Sequence, residues 1–222
     1  MLPRVILHNA VSVDGRMDWL NIDLAQYYGL VSRWRENATL VGAGTILAAP
    51  DPVPPEDASA FEPPPVKPRD KRPLLVVPDS RGRVRSWHAL RQAPYWRGMV
   101  ALCSRATPRE YRDYLKRRHI DCIITGREQV DLRRALEELN ARYGVKVVRV
   151  DSGGTLNGAL LRAGLISEVS ILIQPSLVGG TTPRGLFLAP DLTSAAGVVG
   201  AKLAQVEKLK GGVVWLRYKV AR

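Results

Sequence analysis

Short apolar runs rich in valine and isoleucine recur at Arg4–Leu7, Thr39–Val41, Leu74–Val77, Met99–Cys103, Cys122–Ile124, Val145–Val150 and Val169–Ile173. Most are separated by stretches with helical spacing. Near-continuous apolar strands alternating with helices fit a mainly parallel sheet buried on both faces, which makes the expected class α/β with three layers. The spacing predicts helices over Leu24–Glu36, Pro108–Arg118, Leu132–Tyr143 and Thr155–Ala163. Gly144 and Gly164 stand just beyond the last two, where left-handed caps are needed. Near the C-terminus, Ala204–Leu209 and Val213–Val220 flank Lys210-Gly211-Gly212 and read as a hairpin, so the sheet is expected to end antiparallel. Between Pro50 and Pro73 proline removes so many backbone donors that neither helix nor central strand is expected, only an extended surface loop.

No flexible linker divides the 222 residues, so a single domain over 1–222 is expected. The formal charge of +12 calls for an anionic partner, and nucleic acid, an anionic membrane surface and a phosphorylated small molecule all qualify. Much of the excess lies in Pro108–His119, where Arg109, Arg112, Lys116, Arg117 and Arg118 read as a solvated helix face. Cys103 and Cys122 sit in apolar runs without metal spacing and read as reduced, buried and structural. The opening residues lack the apolar region of a signal peptide, and no span of about 18 apolar residues occurs. The expected location is the cytoplasm, with no membrane contact.

Three of the expected strands lead into similar turns: Val77 into Pro78-Asp79-Ser80-Arg81, Leu102 into Cys103-Ser104-Arg105, and Ile124 into Thr125-Gly126-Arg127. Ligands of open parallel sheets sit beyond the carboxyl ends of the strands, so the three arginines could surround a phosphate, although such residues are also common after strands without any ligand. The run V-K-V-V-R-V over 145–150 passes through D-S-G-G into a helical pattern. Backbone N–H groups at a helix start favour a phosphate, and glycine lets one approach, although glycine pairs also occur at such joints without a ligand. The dinucleotide fingerprint G-x-G-x-x-G is absent. A second glycine turn, V-G-A-G-T over 41–45, adds a hydroxyl at Thr45. The three histidines have no zinc spacing, and there is no nucleophile elbow, Walker loop or deaminase signature, so no metal is expected. The lack of an evident acid–base pair suggests an enzyme whose cofactor performs the hard step.

Taken in order, L-H-N-A-V-S-V-D-G (7–15), V-G-A-G-T (41–45), V-V-P-D-S-R-G-R (76–83), V-D-S-G-G-T-L-N-G-A-L-L-R-A-G-L-I (150–166) and P-S-L-V-G-G (175–180) resemble the reductase family of riboflavin biosynthesis. The resemblance runs over nearly the whole chain. It implies a dihydrofolate-reductase-like three-layer α/β/α sandwich, a homodimer, and NADPH as cofactor. It further implies hydride transfer to C1 of a ribosylaminopyrimidinone 5′-phosphate, opening the ribosyl group to ribityl. By the same resemblance Ala10, Gly44, Thr45, Ser80, Arg81, Ser104, Gly153, Gly154, Thr155 and Leu156 line the cofactor, Arg33 and Asp151 the substrate, and Asp14 and Asp51 carry the catalytic assignments.

This chain departs from the family in three places. Asp151 replaces a longer glutamate. The pattern D-D-P-x-L-T-x-R is reduced to Asp51-Pro52 within A-A-P-D-P-V-P-P-E (48–56), without its arginine. The polar segment after Asp14-Gly15 is shortened to R-M-D-W-L-N-I-D-L (16–24). A reductase of another heterocycle, such as dihydrofolate or a pterin, is therefore the alternative. A basic nucleic-acid-binding module is the rival from a different class.

Overall fold

The computed structural model describes residues 1–49, 52–65, 69–182 and 184–221. Along the chain run β1 (Arg4–Ser12), α1 (Leu24–Gly29), β2 (Ala38–Leu40), α2 (Ala43–Leu47), β3 (Leu74–Pro78), α3 (Trp87–Gln92), β4 (Gly98–Cys103), α4 (Arg109–Arg117), β5 (Asp121–Ile124), α5 (Leu132–Tyr143), β6 (Val147–Val150), α6 (Gly154–Arg162), β7 (Glu168–Gln174), β8 (Ala201–Lys208) and β9 (Val214–Val220). They fall into two compact units, one of Met1–Pro3 with Asn37–Lys146, the other of Arg4–Glu36 with Val147–Arg222.

In the first unit β2, β3, β4 and β5 pair in parallel in chain order. Leu75 and Val77 of β3 and Ala101 and Cys103 of β4 share one face, packed with Trp87 of α3 and Tyr111 and Leu115 of α4. The alternate residues Leu74, Val76, Val100 and Leu102 are buried as well, which explains why these strands are apolar without a break. Trp87 donates its indole N–H to the Tyr111 hydroxyl at 3.1 Å, so these two buried rings leave no polar atom stranded between them.

The second unit has the order β6-β1-β7-β9-β8, parallel over its first three strands and antiparallel over the last two pairings. One face of β1, carrying Ile6 and Ala10, packs with Tyr27, Leu30, Trp34, Leu172 and Trp215. On the other face Asn9 accepts from the Asn157 amide of α6 at 3.1 Å. Helix α6 lies tightly against the segment that follows Gly185. A Cβ on Gly158 would stand 2.0 Å from the Leu188 carbonyl oxygen, so Gly158→Ala must push backbone apart. Such overpacking costs about 1–3 kcal/mol, and a thermal melt of Gly158→Ala is expected to show the loss.

The parallel strands, the C-terminal hairpin and the two left-handed caps are as expected, with φ of 66° at Gly144 and 62° at Gly164. Five expectations are corrected. The helix expected over Leu24–Glu36 ends at Gly29 and continues as a 3-10 turn over Val31–Trp34; Gly29 and the β-branched Val31 weaken it, yet Tyr27, Leu30 and Trp34 all stay buried. The glycine turn after Val41 opens helix α2, with Gly42 as its extended N-cap.

The proline-rich stretch holds a 3-10 turn, Ala58–Phe61, because the Asp57 carboxylate accepts from the Ser59 N–H at 2.9 Å. It is also tied down. Glu56 accepts from Arg118 Nε at 2.6 Å, so Arg118 is a buried ion-pair partner and not part of a solvated face. Finally, both cysteines are free, but only Cys103 is buried; Cys122 is half-buried.

Candidate functional site

In the unit that contains α6, the turn Asp151–Gly154 leads from β6 into the helix. The Ser152 carbonyl accepts from the Asn9 amide at 2.9 Å and from the Asn157 amide at 3.4 Å, so this turn is braced by two buried side chains. Gly153 is the N-cap and supplies no side chain to the first turn of α6, which leaves backbone N–H groups of that turn for an anion.

The two glycines differ. A Cβ on Gly153 would meet nothing within 4 Å, whereas one on Gly154 would lie 2.3 Å from the Gly185 carbonyl oxygen. Gly154 also accepts from the Leu188 N–H at 2.9 Å. The expectation that this glycine pair as a whole holds open a cradle is therefore corrected. Gly153 faces open space, while Gly154 is required by chain packing. Thr155 beside them is exposed and Leu156 half-buried.

Ala10 is buried on β1, opposite Leu172 of β7. Its strand pairs with β6 only as far as Leu7, opposite Val150, so Ala10 lies where that side of β1 has lost its strand partner. Just beyond, Asp14 accepts from the Ser12 hydroxyl at 2.6 Å and from the N–H groups of Val178 and Gly179 at 3.1 and 2.7 Å. The Ser12 hydroxyl first, and then the two N–H groups, hold its carboxyl at about 2, below the usual 3.8. This contribution is present above the ordinary carboxylate range and is lost as pH falls through about 2. A carbon-detected NMR titration is expected to find the Asp14 carboxylate still ionised at pH 3. Its observed work is to pin the Pro175–Gly180 loop to the end of β1.

Asp151 follows β6, half-buried. Its Oδ2 accepts from Arg149 at 2.7 Å and lies 3.3 Å from the Tyr28 hydroxyl. Arg149 is buried, with its Nε 2.5 Å from Glu36 Oε2. The signal for this network was a single arginine in an otherwise apolar run, and sequence reasoning passed over it. Arg33 is exposed, its guanidinium 4.7 Å from the centre of the Trp215 ring. His8, wholly buried between the Ser170 hydroxyl and the Tyr27 carbonyl, has its pKa lowered to about 4 by burial, so it stays neutral and is part of the core.

In the other unit, Arg81, Arg105 and Arg127 are exposed at the carboxyl ends of β3, β4 and β5, which are successive neighbours. The Ser80 hydroxyl accepts from the Val130 N–H at 3.0 Å, and its carbonyl accepts from the Thr107 hydroxyl at 2.9 Å. Ser104 is wholly buried with its hydroxyl 3.3 Å from that of Thr107, so it braces the turn from below. Asp79, not singled out from sequence, is buried and accepts from the N–H groups of Arg83 and Val84 at 2.7 and 2.8 Å, fixing the Ser80-Arg81-Gly82 turn. Gly44 and Thr45 are exposed on α2. Asp51 lies outside the described residues. Among the described residues no cluster of histidine, cysteine and carboxylates could hold a metal ion, and no helix is long and apolar enough to cross a membrane.

The profile of the RibD C-terminal domain matches residues 3–215. The 2,5-diamino-6-ribosylamino-4(3H)-pyrimidinone 5′-phosphate reductase of Archaeoglobus fulgidus is 32% identical over 187 residues, covering 81% of this chain and 84% of that one. The protein of the same name from Methanothermobacter thermautotrophicus is 29% identical over 221 residues, covering 91% and 92%. Among solved structures, RibD of Acinetobacter baumannii superimposes with a TM-score of 0.69 at 21% identity, over 99% of this chain and 58% of that one.

Proposed function

Given that the chain belongs to the RibD C-terminal domain family, we propose that it is an NADPH-dependent reductase of a ribosylaminopyrimidinone 5′-phosphate, converting the ribosyl group to ribityl in riboflavin biosynthesis. The observation that carries the cofactor is the start of α6. It combines an N-cap without a side chain, open space over Gly153 and a turn braced by Asn9 and Asn157, which suits a pyrophosphate. In this reading the backbone of Gly153–Leu156 binds the pyrophosphate and Ala10 adjoins the nicotinamide. Gly44 and Thr45 contact the nucleotide, and Ser80 and Arg81 serve the adenosine phosphate. NADPH supplies the hydride, and the protein's part is to hold donor and acceptor in reach.

Asp151 and Arg33 serve the substrate in this proposal. Asp14 acts by holding the Pro175–Gly180 loop, and Asp51 keeps its catalytic assignment as a proposal only. Arg81→Ala is expected to narrow the preference for NADPH over NADH by about tenfold, the effect of losing one charge-assisted contact. An unchanged ratio would move the 2′-phosphate to Arg105 or Arg127. We place the protein in the cytoplasm as a homodimer, for which Leu203 and Val206, both exposed on the edge strand β8, supply apolar surface.

The loss of the arginine from the segment 48–56 favours a second reading, reduction of dihydrofolate or a pterin. NADPH oxidation measured with the ribosylaminopyrimidinone phosphate beside dihydrofolate separates the two. Turnover of the former alone is expected, and turnover of dihydrofolate alone would replace the first reading by the second.

A further inference from the structure

Arginine is out of place in the strand Val147–Val150. Its neighbours Val148 and Val150 are buried, and Arg149 itself is about as buried as they are. A guanidinium in such a place is tolerated only when paired on more than one side, because desolvation otherwise outweighs a single contact. Arg149 has that pairing, with Nε on Glu36 Oε2 at 2.5 Å and Nη1 on Asp151 Oδ2 at 2.7 Å. The ring of Tyr28 lies 5.7 Å from its guanidinium carbon.

The two oxygens of Asp151 are treated differently. Oδ2 takes the short bond from Arg149. Among the described residues Oδ1 has only the Tyr27 hydroxyl, at 3.5 Å, and the proton of that hydroxyl is committed to a shorter bond with the His8 carbonyl. One carboxylate oxygen is therefore held by charge, while the other has no strong donor of its own, on a side chain that reaches solvent beside the Gly153 turn.

Resting on the substrate-side reading of Asp151, we infer that Arg149 is a positioning residue: it anchors Asp151 through Oδ2 and so presents Oδ1 as the acceptor for an N–H group of the bound heterocycle. Glu36 keeps Arg149 from swinging away, because a planar guanidinium bonded at both Nε and Nη1 has no remaining rotation. The arrangement also accounts for a carboxylate one methylene shorter than glutamate, since the shorter arm leaves less freedom for the anchored group.

The test uses the full chain and three variants, Asp151→Asn, Arg149→Lys and the double variant Arg149→Met with Glu36→Gln, which removes both buried charges together. Calorimetric affinity for the ribosylaminopyrimidinone phosphate without NADPH is read beside NADPH affinity, KM and kcat. The double variant is expected to weaken substrate binding and raise KM at least tenfold while NADPH affinity stays within twofold. Arg149→Lys, which keeps a charge but cannot bond in two directions, should fall between it and the parent.

Unchanged substrate affinity in Asp151→Asn would remove Asp151 from the substrate and with it the reading beneath this inference. A clear loss in Asp151→Asn together with parental affinity in the double variant would overturn the role of Arg149 alone. Should the double variant fail to fold, as judged by circular dichroism and lost NADPH binding, Arg149→Lys decides: parental substrate affinity there overturns the inference, and an intermediate loss upholds it.

Discussion

Gly153→Asp is expected to fold as well as the parent and to bind NADPH about a hundredfold more weakly, the size of effect that placing one negative charge against another produces at a binding site. Nothing stands within 4 Å of the added Cβ, and the backbone there is extended, with φ −79° and ψ 175°, as any residue can adopt. Aspartate is also among the best N-cap residues, so the new carboxylate can accept from the N–H groups of the first turn of α6 and steady the helix. Those are the N–H groups proposed to meet the pyrophosphate. The substitution thus satisfies the helix and repels the ligand together. Titration of NADPH fluorescence beside a thermal melt checks both halves: an unchanged affinity would remove the cofactor from this turn. Gly154→Asp cannot serve the same purpose, because its Cβ collides with the Gly185 backbone and any loss of binding would be confounded with loss of structure.

The largest stability effect is expected at Glu168. This side chain is buried on β7, accepts from Trp34 Nε1 at 3.1 Å and from Arg217 Nε at 2.7 Å, and is paired with Arg4. Burial works against its ionisation, but the hydrogen bonds from Arg217, Arg4 and Trp34 outweigh it and hold the carboxyl below its usual 4.5. Glu168→Ala leaves the buried indole N–H of Trp34 without its acceptor and the Arg217 guanidinium without its carboxylate, although Nη1 keeps Gln205 Oε1, and breaking one side of a buried pair costs about 3–5 kcal/mol. At about 2–4 °C per kcal/mol for a chain of this size, a fall in Tm of roughly 6–20 °C is expected. The pH dependence has a definite sign. Because the folded carboxyl titrates lower than the unfolded one, the parent holds this stability above pH 4.5 and loses it as pH drops through the folded value. The Ala variant should lack that part of the acid transition, and parallel acid-denaturation curves for both proteins would contradict the assignment.

The parallel part of the sheet was legible because most of its strands are buried on both faces and appear as valine- and isoleucine-rich runs, and the hairpin because Gly211-Gly212 separates two stretches with strand patterning. Short elements were less so. Helix α3 is six residues long and α2 five, too brief for a 3.6-residue period to show above chance. In the site, the turn over 151–154 could be located but its two glycines could not be told apart, since the atoms that crowd Gly154 come from residues more than thirty positions downstream. For the same reason the partners of Asp14 could not be foreseen: the bonds from Val178 and Gly179 to its carboxylate depend on strands β1 and β7 lying side by side. Arg149 was passed over although Asp151 stands only two residues on, because its second partner, Glu36, is brought to it only by the fold.

Gly154 and Gly158 meet the backbone of Gly185 and Leu188 with no room for a side chain, whereas Gly153 meets nothing. Over evolutionary time these positions answer to different pressures. At the first two any other residue costs stability for as long as the fold persists, in active and inactive descendants alike. Position 153 is free to drift once nothing binds there. On the proposed cofactor role of the turn, a relative that keeps the second glycine and loses the first would be a scaffold retained after its ligand was abandoned.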